Sequence, residues 1–337
     1  MPLIVAANLA VGKTWANAAT WITGGVAAWG IAISGAIDMA SLLATGSVTQ
    51  AKFAIDAGSV VSGVAAGGFL FKTIRRDVAQ YIPIDPDNPV HALALVLAVI
   101  LFGTQATVLV FTDSLAFNAS QPPQTLFGTF LDELPLLILA LAGVGLYIRR
   151  KPADAVARLG LVRPAWWQIC LALASAGVFL VALQGFDAAN HYFLPGLAGR
   201  VDATSEHLFG ELVQTNWIGI AALGLLPGIC EDVLFRGALQ PRIGLLPTAL
   251  LFTSIHTQYG LSIDLAGVFT IAICLGLIRK YTNTTTSTSA HIAYNLVAGI
   301  SLAGTLLYVA VGAEVVLLVV AGYGMWRALR ERRPATP

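Results

Sequence analysis

Apolar runs of about 20 residues, the length that crosses a ~30 Å hydrocarbon core, recur along almost the whole chain and are separated by short polar or charged segments. The pattern predicts about ten helices, over residues 17–44, 53–74, 91–113, 127–148, 165–186, 213–238, 245–259, 262–281, 286–309 and 313–329. The expected fold class is therefore all-α, a polytopic transmembrane helix bundle. Residues 286–329 form one nearly unbroken apolar stretch, and a turn at Val311-Gly-Ala-Glu314 is expected to divide it, placing Glu314 at the outer interface. Residues 187–212 read as the largest external loop, and TNTTTSTS at 282–289 as a short polar connector. No internal repeat is visible.

The basic residues orient these spans. Lys72, Arg75 and Arg76 follow the second span, and Arg149, Arg150, Lys151, Arg158 and Arg163 the fourth. Arg236 and Arg242 follow the sixth, Arg279 and Lys280 the eighth, and Arg327, Arg330, Arg332 and Arg333 the tenth. The opposite loops hold only Lys52 and Arg200 as clear exceptions. By the positive-inside rule both termini face the cytoplasm.

Composition supports the membrane class: 57% of the 337 residues are hydrophobic and 11% are charged, against roughly a quarter charged in soluble domains. A formal charge of +1, divided among small clusters, gives no footprint for nucleic acid. Cys170, Cys230 and Cys274 each lie inside an apolar span, which indicates neither a disulfide framework nor a CxxC metal site. The amino-terminal stretch MPLIVAANLAVGKTW lacks the basic-then-apolar order of a cleavable signal peptide.

Against this background PGICEDVLFRG at 227–237 stands out, with Glu231, Asp232 and Arg236 close together. Each mid-bilayer charge costs about 2.5–3.5 kcal/mol on insertion scales unless it is paired or wetted. In a helix Asp232 and Arg236 are i, i+4 and can pair, whereas Glu231 points about 100° away. Pro227-Gly228 one turn earlier predicts a kink or local opening, tolerated in a membrane where it faces a cavity. The bland reading is that the three charges only mark the cytoplasmic end of the span.

Two further spans weigh against that reading. Phe252 and His256 are spaced i, i+4, as are His291 and Asn295, so each polar group is aimed as a set. Two histidines, an asparagine and an unpaired glutamate on three segments would each need a partner in hydrocarbon, and one shared polar site satisfies them all. In such a site Glu231 is a candidate general base for water, with His256 holding the same water or shuttling its proton. His291 and Asn295 would donate hydrogen bonds to the oxyanion formed when water attacks a carbonyl. A serine or cysteine nucleophile is disfavoured, because no G-x-S-x-G elbow is present and Cys230 would need a histidine within reach. Zinc held by Glu231, His256 and His291 is the rival mechanism, although no HExxH helix exists. His207 and Glu211, also i, i+4, read as a solvated loop face more readily than as metal ligands.

At these residues the sequence resembles the CPBP intramembrane proteases, the CAAX protease and bacteriocin-processing or ABI family. Their ordered motifs EExxxR, FxxxH and HxxxN appear as Glu231-Asp232-xxx-Arg236, Phe252-xxx-His256 and His291-xxx-Asn295, with Asp232 in place of the usual second glutamate. The resemblance covers about residues 212–305. It implies a glutamate-type, metal-free peptidase needing no cofactor, in which Glu231 and His256 activate water and His291 and Asn295 form the oxyanion site. It also implies membrane lipid and a membrane-associated protein or peptide as partners, and a bacterial or archaeal plasma membrane as location.

Two regions are expected: residues 1–164, an amino-terminal transmembrane region to which the motifs give no role, and residues 165–337, the protease-like core. Cleavage near the cytoplasmic leaflet is expected. Asp38, Asp56, Asp132, Glu133 and Asp264 could mark a second pathway, but most lie within a turn or two of an interface and read as local caps or pairs. Two other classes compete, a non-catalytic immunity or scaffold protein and a transporter. A scaffold has no need of all four polar groups, and a transporter would show paired broken helices in two related halves.

Overall fold

The computed structural model describes residues 1–214, 217–300 and 304–331. All regular elements among the described residues are helical. The amino-terminal half contains α1 (Pro2–Ala10), α2 (Ala16–Thr45), α3 (Gln50–Gly67), α4 (Lys72–Val78), α5 (Pro89–Phe111), α6 (Ser114–Ala119), α7 (Leu126–Gly143) and α8 (Pro152–Leu159). The remainder contains α9 (Trp166–Phe193), α10 (Pro195–Gln214), α11 (Trp217–Asp232), α12 (Gln240–Ile243), α13 (Leu245–Ser254), α14 (Ile263–Tyr281), α15 (Thr284–Ala298) and α16 (Gly304–Glu331).

Seven helical stretches among the described residues are long and apolar enough to cross a membrane: Ala16–Thr45, Gln50–Leu70, Pro89–Phe111, Leu126–Gly143, Trp166–Phe193, Trp217–Ile243 and Leu307–Glu331. Multi-pass membrane insertion follows from these, with fewer qualifying spans than the apolar pattern suggested. The difference lies in the segments that carry the histidine motifs and in the helix between them. The 10 residues of α13 rise about 15 Å and the 15 residues of α15 about 22 Å, both short of the hydrocarbon thickness. The third, α14, has length but bears Asp264, Arg279 and Lys280 in its end turns.

Three local expectations are corrected. Residues 187–193 continue α9 and residues 195–214 form α10, so the presumed external loop is helical. The expected turn at Val311–Glu314 is absent, because α16 runs unbroken through it, and Glu314 packs against Gly177 of α9. The polar run TNTTTSTS opens a helix. Asn283 caps α15 by accepting from the Thr286 amide at 2.9 Å, and Thr284 donates its hydroxyl to the Leu159 carbonyl at 2.6 Å.

α2, α3 and α5 form one packed group, with α2 and α3 drawn together at Gly35 and Gly63, whose faces abut the backbone of Asp56 and Ala28. The largest apolar cluster joins Leu95 of α5 and Ala140 of α7 to Val233, Leu234, Phe235, Leu251 and Phe252. The amino-terminal region thereby packs directly behind the motif-bearing segments.

Candidate active site

α11 runs continuously through Pro227-Gly228 to Asp232, so the expected opening before Glu231 is absent. The irregularity comes directly afterwards, where residues Val233–Leu239 form a π-helical segment. Such segments concentrate at functional sites because the added residue shifts side-chain direction and loosens the carbonyl ladder. Two arginines reach its backbone: Arg279 Nε donates to the Arg236 carbonyl at 3.0 Å, and Arg158 Nη1 to the Gly237 carbonyl at 3.4 Å.

α15 lies close along α11 because of small residues in GLLPG. A Cβ on Gly228 would sit 2.5 Å from Ile292 Cγ1 and 3.2 Å from its Cα, and one on Gly224 would sit 2.5 Å from Leu296 Cδ2. This is a G-x-x-x-G contact face, the signal by which one membrane helix approaches another. It sets Ser287, His291 and Asn295, at i, i+4 and i+8 of α15, beside Glu231 and Asp232.

Asp232 is fully buried and has three partners. Ser287 Oγ donates to Oδ2 at 2.6 Å, His291 Nδ1 lies 3.2 Å from Oδ1, and Arg236 Nη1 lies 3.1 Å from the same Oδ1. Ser287 Oγ is also 3.2 Å from the Leu275 carbonyl, but its single proton goes to the shorter, charge-assisted contact. Arg236 is an ion pair by distance without hydrogen-bond alignment, and its terminal nitrogens have no hydrogen-bond partner among the described residues. Its Cζ stands 4.0 Å above the centre of the Phe252 ring, a cation–π contact strengthened by burial.

Phe252 is the hub of the site. Its ring centre lies 4.6 Å from His256, 5.9 Å from His291 and 5.4 Å from Phe235. His256 stands just beyond the end of α13 rather than within it, and its Nδ1 lies 2.8 Å from the Phe252 carbonyl. A carbonyl only accepts, so Nδ1 carries the proton and a neutral ring keeps Nε2 as an acceptor. The other imidazole is oriented by Asp232. His291 Nε2 then faces Glu231, 3.9 Å from its Oε2. Asn295 Nδ2 donates to the Leu223 carbonyl at 3.4 Å.

Glu231, His256, His291 and Asn295 all line one cavity of about 670 Å³. Its rim carries Asn118, Gln121 and Gln124, and Tyr259 and Tyr294 also face it. Asp132 and Glu133 of α7 belong to it as well, and Glu133 Oε2 is buried without a hydrogen-bond partner among the described residues. Ser287 is the site group that sequence reasoning missed, and Glu133 is one that it read as a local cap or pair. The i, i+4, i+8 register of α15 contained the signal for Ser287, and an acid placed in an apolar span was the signal for Glu133.

The three zinc candidates are not drawn into a ligand set. Among the described residues, the groups of three or more potential ligands whose donor atoms all lie within 4.8 Å of one another comprise Asp187, His191 and Asp202, exposed at the end of α9 and in α10. His207 Nε2 instead lies 2.7 Å from the Gln121 carbonyl. The three cysteines are unpaired, with Cys230 buried.

No curated protein and no solved structure matches this chain. Residues 213–297 match the family described as type II CAAX prenyl endopeptidase Rce1-like, a segment that begins before α11 and ends within α15. It contains the Glu231, His256, His291 and Asn295 cavity residues and the buried Glu231/His291 pair. The chain therefore carries a domain of the Rce1-like type II CAAX prenyl endopeptidase family and is an intramembrane endopeptidase.

Proposed function

We propose that this endopeptidase cuts a membrane-associated protein or peptide with water activated by Glu231 and His256, and that His291 and Asn295 receive the oxyanion. The observation that carries the reading is the arrangement of ring nitrogens. Each histidine has Nδ1 committed to a fixed partner, Phe252 O or Asp232 Oδ1, which leaves Nε2 as the ring nitrogen for chemistry on two residues that line the same cavity as Glu231.

The roles follow from those partners. Glu231 takes a proton from water as the water oxygen bonds to the carbonyl carbon, while His256 Nε2 accepts from the second hydrogen and fixes the water's orientation. His291 donates from Nε2 in its doubly protonated form, and Asn295 donates from its remaining amide hydrogen. As the tetrahedral species collapses, Glu231 returns the proton to the departing nitrogen, the C–N bond breaks, and a carboxylic acid and an amine leave. Residues 165–337 act as the protease core in this reading, and residues 1–164 supply Glu133 and the wall of the cavity.

The rim bearing Asn118, Gln121 and Gln124 lies at the far end of the helices from the arginine-rich loops. We accordingly replace cleavage near the cytoplasmic leaflet with entry from the opposite side. The test is Glu231→Gln in purified protein: cleavage should cease while the melting temperature holds, and undiminished turnover removes Glu231 from the mechanism. Prolonged chelation separates water activated by side chains from water activated by zinc. Activity should persist, and its loss with restoration by zinc would overturn the metal-free mechanism.

A further inference from the structure

A second cavity, of about 410 Å³, lies behind the π segment and away from the catalytic cavity. The helices pass from one to the other. α7 gives Thr129 to Leu136 to the catalytic cavity and Leu139 to Val144 to the second, and α11 gives Ile220 to Glu231 to the first before the π segment gives Leu234 to Leu239 to the second. The two are thus stacked along the bundle with Phe235 and Phe252 between them.

This second cavity is polar at one end and apolar along its depth. Arg149, Arg150, Arg158 and Arg242 line the polar end together with His91, and Asp85 is the acid that faces them there. Among the described residues none of the four arginines forms an ion pair with a carboxylate. Their hydrogen bonds are few and go to uncharged oxygens: Arg149 Nε to Asn8 Oδ1, Arg150 Nη1 to the Val144 carbonyl, and Arg158 Nη1 to the Gly237 carbonyl. Arg242 Nε is buried with no partner at all among the described residues. His91 Nδ1 accepts from the Asp85 amide at 2.9 Å, which puts the proton of the neutral ring on Nε2, a further donor.

Four guanidinium groups so close together repel one another. Burial, with that repulsion added, pulls Arg149 and Arg158 down to about 10, although both remain charged at neutral pH. A bound anion would relieve the repulsion and use the donors that remain, since guanidinium forks match phosphate oxygens two at a time. Beyond the arginines the wall is hydrocarbon: Leu93, Leu97 and Leu101 from α5, Leu139 from α7 and Leu251 from α13. A small soluble anion would leave that wall facing nothing complementary. The volume falls within the range of about 300–1,000 Å³ typical of small-ligand pockets, and basic pockets between membrane helices are suited to lipid headgroups.

We infer that this cavity binds an anionic phosphate-bearing lipid, with the headgroup on Arg149, Arg150, Arg158 and Arg242 and an apolar chain along the α5 leucines. The shared chemistry, a phosphate group, also occurs in soluble metabolites, so the test separates the two sources. Full-length protein in neutral detergent is titrated with dioleoyl phosphatidic acid, dioleoyl phosphatidylcholine, glycerol 3-phosphate and inorganic phosphate, and bound species are counted by native mass spectrometry. Phosphatidic acid should bind at least 10-fold more tightly than phosphatidylcholine, and neither soluble phosphate should displace it at equal concentration. Arg149→Gln combined with Arg242→Gln should weaken binding at least 10-fold. Ala98→Phe fills the apolar half without touching an arginine, so it should weaken binding by a similar factor even if the arginine variant is unstable. Arg330→Gln, on the exposed end of α16, should change nothing. Equal affinity for the two lipids, or binding indifferent to Ala98→Phe, would overturn the assignment. Displacement by glycerol 3-phosphate would replace the lipid with a soluble phosphate compound.

Discussion

Asn295 donates its side-chain amide, at 3.4 Å, to the carbonyl of Leu223, the backbone oxygen that Pro227 leaves without its i+4 amide. One residue of the HxxxN motif is thus tied to a defect in the neighbouring helix. The proline does not open α11; it creates an acceptor that holds α15 in register, and the other amide hydrogen of Asn295 is left for the cavity.

Asn295→Ala should therefore cost about 1 kcal/mol of stability from the lost hydrogen bond and lower turnover by about 10²–10³-fold from the lost oxyanion donor. Pro227→Ala returns an amide to the Leu223 carbonyl. In that background Asn295→Ala should cost little stability while the loss of turnover stays the same. A double-mutant cycle on melting and on kcat reads both, and an undiminished stability cost would sever the two residues.

The glycines of GLLPG make unequal demands. Gly228→Ala drives a methyl against Ile292 Cγ1 at 2.5 Å and its Cα and backbone nitrogen at 3.2 Å, whereas Gly224→Ala meets the Leu296 side chain first and no backbone atom nearer than 3.6 Å. Flexible atoms yield and backbone does not. Gly228→Ala should cost about 1–3 kcal/mol and depress kcat, because Ile292 adjoins His291. Gly224→Ala should cost less in melting temperature and leave kcat near its original value. The reverse order would show that α15 does not lean on Gly228.

The membrane class and the three motifs could be read in the sequence because each rests on local spacing: an apolar run of given length, or two side chains four residues apart. What escaped was not local. Hydropathy is blind to whether Val233–Leu239 winds as α or π, since the same side chains are buried either way. Pro227 reads as a kink until Asn295 is seen to answer the carbonyl it frees. Residues 286–329 form one nearly unbroken apolar stretch, so the expected turn was placed at Val311–Glu314, inside α16. Arg149, Arg150, Arg158 and Arg242 served as a count of cytoplasmic charge, and only the packing of α5 and α7 against the π segment revealed that they surround a cavity.

Asp232 has more to hold than one arginine. Asp232→Asn leaves Arg236 buried without its counter-ion and His291 without its orienting carboxylate, so a loss of about 3–5 kcal/mol is expected, with turnover falling as well. Ser287→Ala removes only the 2.6 Å hydroxyl contact, for about 1 kcal/mol, and should leave turnover within about tenfold, since Arg236 and His291 keep their partner. Thermal melts and initial rates on the two variants distinguish a shared anchor from a simple ion pair. Equal effects of the two substitutions would deny Asp232 its hold on His291.

The stacking of the two cavities gives the orientation a test of its own. If the arginine-rich loops face the cytoplasm, as the charge bias directs, the catalytic cavity opens on the other side of the membrane, at Asn118, Gln121 and Gln124. Ser120 is exposed beside that rim and Lys151 is exposed beside the arginine cluster. Ser120→Cys should react with a membrane-impermeant maleimide in intact cells, above the background of the parent protein, and Lys151→Cys should react only after the membrane is breached. The opposite pattern would put the active-site mouth in the cytoplasm and show that Arg149, Arg150 and Arg158 do not set the topology. A cation cluster on the outer side would then need another reason to exist, and anion binding in the second cavity would be the stronger for it.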